Sequence, residues 1–181
     1  MNYAKSLGLA AAVTIAGAAA ADAATYYATT ATYITPGANL TPARSDTSKA
    51  LGAPDGEFMS LGLGGSAIFT FGNVFGSPLS TFEITLGNVA TYLETVDVYG
   101  ILGGVETFLG SVDNYSSTSL TFVGIFDSLK LVDTSISPKG EKRDGFDVDA
   151  LSVSSVPVPA AGLLLVGALG GLAALRRRKA V

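Results

Sequence analysis

The chain has 181 residues, of which 11 are basic and 15 acidic, and it contains neither cysteine nor histidine. These two absences exclude disulfides, thiolate metal sites, thiol nucleophiles and a Ser-His-Asp triad. Residues 24–155 carry 14 acidic and 6 basic side chains, and a domain with that excess of negative charge repels a phosphate backbone, so we expect no nucleic-acid partner.

Residues 1–23 have the pattern of a secretory signal peptide. Lys5 precedes an apolar run over residues 7–21, and the small residues Ala21 and Ala23 form a cleavage site. The alternative, a membrane-spanning helix, does not suit so short and alanine-rich a run. We therefore predict export through the Sec translocon and cleavage by signal peptidase after Ala23, or after Ala21.

Residues 24–155 are predicted to form one all-β domain. Apolar and polar residues alternate with a period of two, and Gly, Pro, Asn or Asp residues separate the alternating segments. The predicted strands cover residues 26–34, 67–71, 81–86, 95–101, 107–112, 119–122, 128–132 and 146–153. Turns are predicted at residues 76–78, 103–104 and 113–114, and a solvated hairpin loop at residues 139–144. This pattern favours a sandwich or a barrel.

Four short segments resemble the galactose-binding-like (discoidin-type) jelly roll. Residues 50–56 and 60–66 are similar to its opening, and residues 129–135 and 145–150 are similar to its closing strands. The resemblance extends over residues 48–153 and implies an antiparallel jelly-roll β-sandwich. It also implies glycan binding at loop tips and a structural calcium ion.

Three aspartates are the candidate calcium ligands. Asp55 lies in the opening segment, and Asp147 and Asp149 lie in the last predicted strand, which is commonly a neighbour of the first loop in such jelly rolls. Calcium prefers carboxylate and carbonyl oxygens. Two alternatives stay open. In one, Asp55 only forms a turn and the other two aspartates face solvent from an edge strand. In the other, Asp147 and Asp149 are the carboxylate pair of a glycosidase.

Four aromatic residues are candidates for stacking on a sugar. Their rings combine an apolar body with, in tyrosine, a polar tip, which suits a carbohydrate face. The alternative is that they are ordinary strand residues that fill the core. The candidates are Tyr92, Tyr99, Tyr115 and Phe126.

Residues 156–181 combine a proline-containing motif, an apolar run and a basic end. The motif consists of Val156, Pro157, Val158, Pro159 and Ala160, and the basic end consists of Arg176, Arg177, Arg178 and Lys179. This tail resembles the PEP-CTERM class of sorting signals, most closely its VPLPA-CTERM variant, although Val158 stands where that motif has leucine. The resemblance implies processing by an exosortase, a membrane-embedded cysteine transpeptidase, in a Gram-negative bacterium that makes exopolysaccharide or biofilm matrix. The alternative is a simple tail anchor, with the apolar run as a transmembrane helix and the basic end in the cytoplasm.

Three functions are compatible with these features. The first is a non-enzymatic surface or matrix protein, held transiently in the inner membrane by its C-terminal helix and then moved to the cell surface or outside the cell. The second is a carbohydrate-binding module, with or without calcium, whose partner is an extracellular polysaccharide. The third is a polysaccharide hydrolase, for which the sequence provides only carboxylates at a common spacing. We therefore expect no enzymatic activity.

Overall fold

The computed structural model describes residues 24–83, 90–139 and 141–155. The predicted signal peptide, the sorting tail and the end of the strand predicted at residues 81–86 lie outside these ranges. Within the described ranges, no helix has the length and apolar character needed to cross a membrane.

The regular structure of these ranges is almost entirely β. Two short 3-10 turns, Pro42–Arg44 and Thr47–Ala50, follow the second strand. The strands are β1 (Thr25–Tyr27), β2 (Thr30–Thr35), β3 (Met59–Ser60), β4 (Ser66–Glu83), β5 (Thr95–Leu102), β6 (Val105–Asp113), β7 (Ser119–Leu120), β8 (Phe126–Asp133) and β9 (Asp147–Ser155).

The long strand β4 takes part in both layers of the sandwich. Its first half pairs with β2 and β8, and its second half pairs with β9 and β7. Strands β5 and β6 extend the first layer beyond β8, whereas β1 and β3 pair with β9 in the second layer. Every pairing is antiparallel, so the predicted antiparallel β-sandwich is confirmed.

The core lies between the two layers and uses alternate residues of their strands. Phe69 of β4 and Leu129 and Leu131 of β8 are fully buried, as is Phe146 just before β9. Lys130, between the two buried leucines, remains partly exposed. This alternation of buried and exposed side chains is the period-two pattern from which the strands were predicted.

One predicted turn is wrong. The turn expected at residues 76–78 lies inside β4, where Gly76 and Leu79 both pair with β9 and the two residues between them form a bulge. Proline has no N–H to donate to a β-ladder, and a bulge accommodates it without ending the strand.

One predicted strand is divided in two. Residues 26–34 change layers at Ala28 and Thr29, so that β1 pairs with β9 and β2 pairs with β4. Ala28 is buried at this crossing, and its N–H donates to the carbonyl oxygen of Leu151 at 3.0 Å. The chain bends at Thr29, and no Gly, Pro, Asn or Asp residue marks this bend in the sequence.

Three segments that are far apart in the chain meet backbone against backbone at glycines. A Cβ on Gly37 would lie 2.2 Å from the carbonyl carbon and oxygen of Gly62, and a Cβ on Gly145 would lie 2.8 Å from the same two atoms. No side chain can occupy these positions without displacing main chain, so only glycine permits the approach. We call this contact the glycine junction.

The buried carboxylate of Asp133 joins two of these segments by hydrogen bonds. Its Oδ2 accepts the N–H of Gly64 at 2.8 Å, and its Oδ1 accepts the N–H of Phe146 at 2.8 Å. Hydrogen bonds to a carboxylate are stronger than those between neutral groups. Asp133 at the end of β8 therefore fixes both the turn before β4 and the entry into β9.

Replacing Gly37 with alanine should lower the free energy of unfolding by about 3 kcal/mol or more, because the added Cβ overlaps the backbone of Gly62. Gly56→Ala is the matched control. Gly56 has a φ of +87° but open space around a Cβ, so this change should cost about 1–2 kcal/mol of backbone strain alone. Urea unfolding of both variants measures the difference, and equal losses would contradict the close packing at the glycine junction.

Candidate functional site

A pocket of about 570 Å³ lies between three separate parts of the chain. Its walls come from the segment after β2, the segment before β5 and the loop between β8 and β9. This volume is within the range of about 300–1,000 Å³ that is usual for small-molecule sites. The lining side chains are mostly polar and include one aromatic ring: Asn39, Leu40, Thr41, Arg44, Tyr92, Lys142 and Asp144.

Tyr92 lies outside any regular strand, yet side chains hold its backbone on both sides. Arg143 donates to the carbonyl oxygens of Thr91 and Leu93 at 3.2 and 3.5 Å. The side-chain amide of Asn114 donates to the carbonyl oxygen of Tyr92 at 3.0 Å. Three consecutive carbonyl groups thus have side-chain donors, which fixes the position of Tyr92 in the pocket wall.

The ring of Tyr92 stacks on the buried guanidinium of Arg143. The guanidinium carbon lies 4.0 Å from the ring centroid, within the range of a cation–π contact. This contact covers one face of the ring, so a ligand can meet only the opposite face, the edge and the hydroxyl. Partial burial, and then the negative charges of Glu94 and Asp144, raise the pKa of Tyr92. The hydroxyl therefore stays protonated at neutral pH and can donate a hydrogen bond.

Arg44 is held at the pocket by two carboxylates and an aromatic ring. It forms an ion pair with Asp144, and its Nη1 lies 3.5 Å from Oδ2 of Asp147. Its guanidinium carbon lies 5.2 Å from the ring centroid of Phe58. The side chain remains 29% exposed and lines the pocket, so a fixed guanidinium is accessible to a ligand there.

The prediction of a solvated loop at residues 139–144 is wrong for its last two residues. Arg143 and Asp144 are 5% and 9% exposed. The loop turns inward because Arg143 reaches the segment around Tyr92, while the carbonyl oxygen of Arg143 accepts a hydrogen bond from Asn39 at 2.8 Å. A run of charged residues predicts a solvent-facing loop, but Arg143 and Asp144 have partners from distant parts of the chain.

The four aromatic candidates do not form one platform. Only Tyr92 lines the pocket. Tyr99 lies on β5 with its ring against side chains of β6 and β8, and Tyr115 is 65% exposed in the turn after β6. Phe126 is buried against β5, so it offers no ring face to a ligand, which corrects the expectation for this residue.

Asp149 and Asp55 are neighbours, but the carboxylate of Asp149 contacts backbone amides of the loop and not the carboxylate of Asp55. The N–H of Asp55 donates to Oδ1 of Asp149 at 3.1 Å, and the N–H of Gly56 donates to Oδ2 at 3.2 Å. Asp147 contacts Arg44 instead. Asp147 and Asp149 are both buried on β9, which has strand partners on both sides, so the alternative of a solvent-facing edge strand is wrong.

These contacts do not fit a calcium shell. Calcium takes about six to eight oxygen ligands, whereas both oxygens of Asp149 already face N–H donors. In the part of the chain that the structure describes, no group of three or more acidic side chains is arranged to hold a metal ion. Calcium binding therefore stays a prediction for which these residues provide no set of ligands. The hydrogen bonds from backbone amides to Asp149 hold the loop at Asp55 in place without a metal ion.

No protein-family model and no curated protein matches the chain. Among solved structures, the chain is similar to the family 32 carbohydrate-binding module of NanJ from C. perfringens, in complex with galactose. The identity is 18%, the match covers 73% of this chain and 100% of that one, and the TM-score is 0.45. It is also similar to CBM32-2 of GH31 bound to GalNAc, with 16% identity, coverage of 70% and 97%, and a TM-score of 0.39.

Sequence reasoning missed most of the pocket. It identified Tyr92 but not Asn39, Arg44, Lys142 or Asp144. One signal was available: in an acidic domain with six basic side chains, two of them stand together at positions 142 and 143. Nothing in the local sequence indicates that Arg44 meets Asp144, because that contact depends on the glycine junction.

Excess calcium or a chelator should leave the Tm unchanged, because both carboxylate oxygens of Asp149 already accept backbone N–H groups. Thermal unfolding with calcium and with chelator measures this directly. A calcium-dependent rise in Tm that Asp149→Asn abolishes would contradict the assignment of Asp149 to the amide hydrogen bonds.

The turn that presents Asn114 should make stability sensitive to acid. Partial burial would raise the pKa of Asp113, but hydrogen bonds from Ser117, Ser116 and Tyr115 outweigh it and lower the pKa to about 2. A carboxylate whose pKa is lower in the folded state stabilises the fold above its ordinary value, 3.8, and this contribution is lost as the pH falls towards 2. The difference in unfolding free energy between the wild type and Asp113→Asn should therefore shrink from pH 5 to pH 2. A difference that does not change with pH would contradict this assignment.

Proposed function

We propose that the β-domain is a non-enzymatic carbohydrate-binding module whose ligand occupies the pocket beside Tyr92. The observation that carries the proposal is the combination of a fixed aromatic ring with converging hydrogen-bond donors and acceptors in one small-molecule-sized pocket. The two family 32 modules were solved with galactose and GalNAc. That similarity is too low to carry the proposal, which depends on the pocket alone.

The lining side chains match the chemistry of a sugar ring. A sugar has hydroxyl groups around its edge and C–H groups on its faces. Arg44, Asn39 and Lys142 supply donors and Asp144 supplies an acceptor for the hydroxyls, while the ring of Tyr92 supplies an apolar surface for the C–H groups. Because Arg44 and Tyr92 are held by other side chains, binding costs little conformational entropy.

Among the residues that line this pocket, no pair of carboxylates supports the hydrolase alternative. A glycosidase needs two carboxyl groups on either side of the scissile bond. Asp144 is the single carboxylate among the lining residues of the pocket, and it is paired with Arg44. Asp147 and Asp149, the pair considered from the sequence, are engaged by Arg44 and by backbone amides.

We also propose that the protein is exported and that an exosortase processes its C-terminal tail. The support is the order of features at the two ends of the sequence: a cleavable apolar leader, and a motif at residues 156–160 followed by an apolar run and a basic end. An exported glycan-binding domain would then meet polysaccharide at the cell surface or in the matrix.

Tyr92→Ala should weaken glycan binding roughly tenfold, about 1.4 kcal/mol, because it removes the ring surface from the pocket. Lys142→Ala should weaken it by roughly threefold, because it removes one exposed donor. Isothermal titration calorimetry with the exopolysaccharide of the host measures both effects, and thermal unfolding establishes that the variants are folded.

Lys139→Ala is the matched control for Lys142→Ala. Both lysines are exposed on the same loop and carry the same charge, but Lys139 does not line the pocket. This control should bind like the wild type. Equal losses from the two lysine variants would point to non-specific charge attraction and would contradict binding in the pocket.

The mature protein from its host should lack residues 1–23 and should end near residues 156–161. This C-terminal cut should disappear when the sorting enzyme is deleted. Intact-mass spectrometry of the cell-surface and membrane fractions measures it. A full-length C-terminus in the inner membrane, whether or not the enzyme is present, would contradict sorting and leave a tail-anchored domain.

A further inference from the structure

A second pocket of about 330 Å³ lies beside the first. It is more apolar than the first, and two of its apolar side chains, Leu93 and Ile136, are 45% and 80% exposed. Threonine hydroxyls and one guanidinium complete the lining. The lining residues are Thr91, Leu93, Thr95, Thr134, Ile136, Pro138 and Arg143.

The two pockets are the two sides of one wall. Tyr92 lines the first pocket, whereas its neighbours Thr91 and Leu93 line the second. In the same way, residues 142 and 144 line the first pocket, whereas Arg143 between them lines the second. The wall between the two pockets is therefore only two chain segments across.

Arg143 holds the wall together from within. Its guanidinium donates to the carbonyl oxygens of Thr91 and Leu93 and stacks on Tyr92, and its Nε donates to Glu141 at 3.0 Å. A wall fixed by this many contacts keeps a constant spacing between the pockets. That rigidity is what two subsites for one ligand require.

We propose that the second pocket is a subsite for an acetyl group carried by the glycan that binds in the first pocket. The inference rests on the proposed function. An acetyl group combines one methyl with one carbonyl oxygen. The methyl fits against Leu93, Ile136 and Pro138. The hydroxyls of Thr95 and Thr134 are hydrogen-bonded to each other at 2.9 Å, and the hydroxyl that accepts this bond keeps its hydrogen for the carbonyl oxygen of the acetyl group.

The chemistry of the pocket favours an acetyl group over other substituents. A long acyl chain would leave the threonine hydroxyls without a ligand partner, and a bare hydroxyl would leave the apolar side chains uncovered. Burying one methyl and the carbon attached to it is worth a factor of about four to ten in affinity. The acetylated glycan should therefore bind more tightly than its deacetylated form by that factor.

The test compares chemically matched forms of the host exopolysaccharide by isothermal titration calorimetry with the whole purified protein. Mild alkali removes acetyl esters and leaves acetyl amides, and an N-deacetylase removes the amides. One of the two treatments should weaken binding four- to tenfold, and the treatment that does so identifies the linkage. Ile136→Asn should bind the untreated glycan as weakly as the wild type binds the treated one, while its affinity for the treated glycan stays unchanged.

Two further variants serve as controls. Ile136→Leu keeps the apolar surface and should keep the preference, and Val123→Asn makes the same kind of change at a residue that is 97% exposed and lines neither pocket. Equal affinity for all forms of the glycan, or a preference that survives Ile136→Asn, would overturn the acetyl subsite while leaving the sugar pocket intact. No binding to any form would overturn the proposed function and this inference with it.

Discussion

The pocket depends on the glycine junction, where the segments at Gly37, Gly62 and Gly145 touch without side chains between them. The hydrogen bonds of Asp133 to Gly64 and to the start of β9 hold the same region together. Two loops that are about a hundred residues apart in the chain are thereby brought side by side. Two walls of the pocket follow from this contact, since the residues after Gly37 and those before Gly145 lie on opposite sides of it.

Charge pairing across the junction orients the side chains that a ligand would meet. Arg44 from one wall pairs with Asp144 from the other, and Asn39 bonds to the backbone of Arg143. Arg143 in turn fixes Tyr92, which comes from a third part of the chain. Three of the six basic side chains in this acidic domain, Arg44, Lys142 and Arg143, therefore line the two pockets. The partly buried ion pairs hold the walls of the pockets in one arrangement.

The sequence predicts the strands better than it predicts the pocket, because burial in a strand leaves a local pattern whereas contacts between distant segments do not. Alternation in β5 and β8 corresponds directly to burial, so local pattern alone identifies those two strands. The proline in β4 predicts a turn because local propensity does not reveal a bulge. The charged residues at positions 143 and 144 predict a solvated loop, since the partners that bury them lie in distant segments. Asp149 lies next to Asp55, but its carboxylate contacts the backbone amides of Asp55 and Gly56.

We propose that a glycan binds in the pocket between the loops that follow Gly37 and precede Gly145, and not elsewhere on the sandwich. Nuclear magnetic resonance titration of the isotope-labelled protein with host oligosaccharides distinguishes this pocket from the other surfaces. We expect saturable shift changes concentrated at Asn39, Arg44, Tyr92 and residues 142–144. Changes centred on Tyr99 and the outer face of β5, or no saturable change with any oligosaccharide, would contradict it.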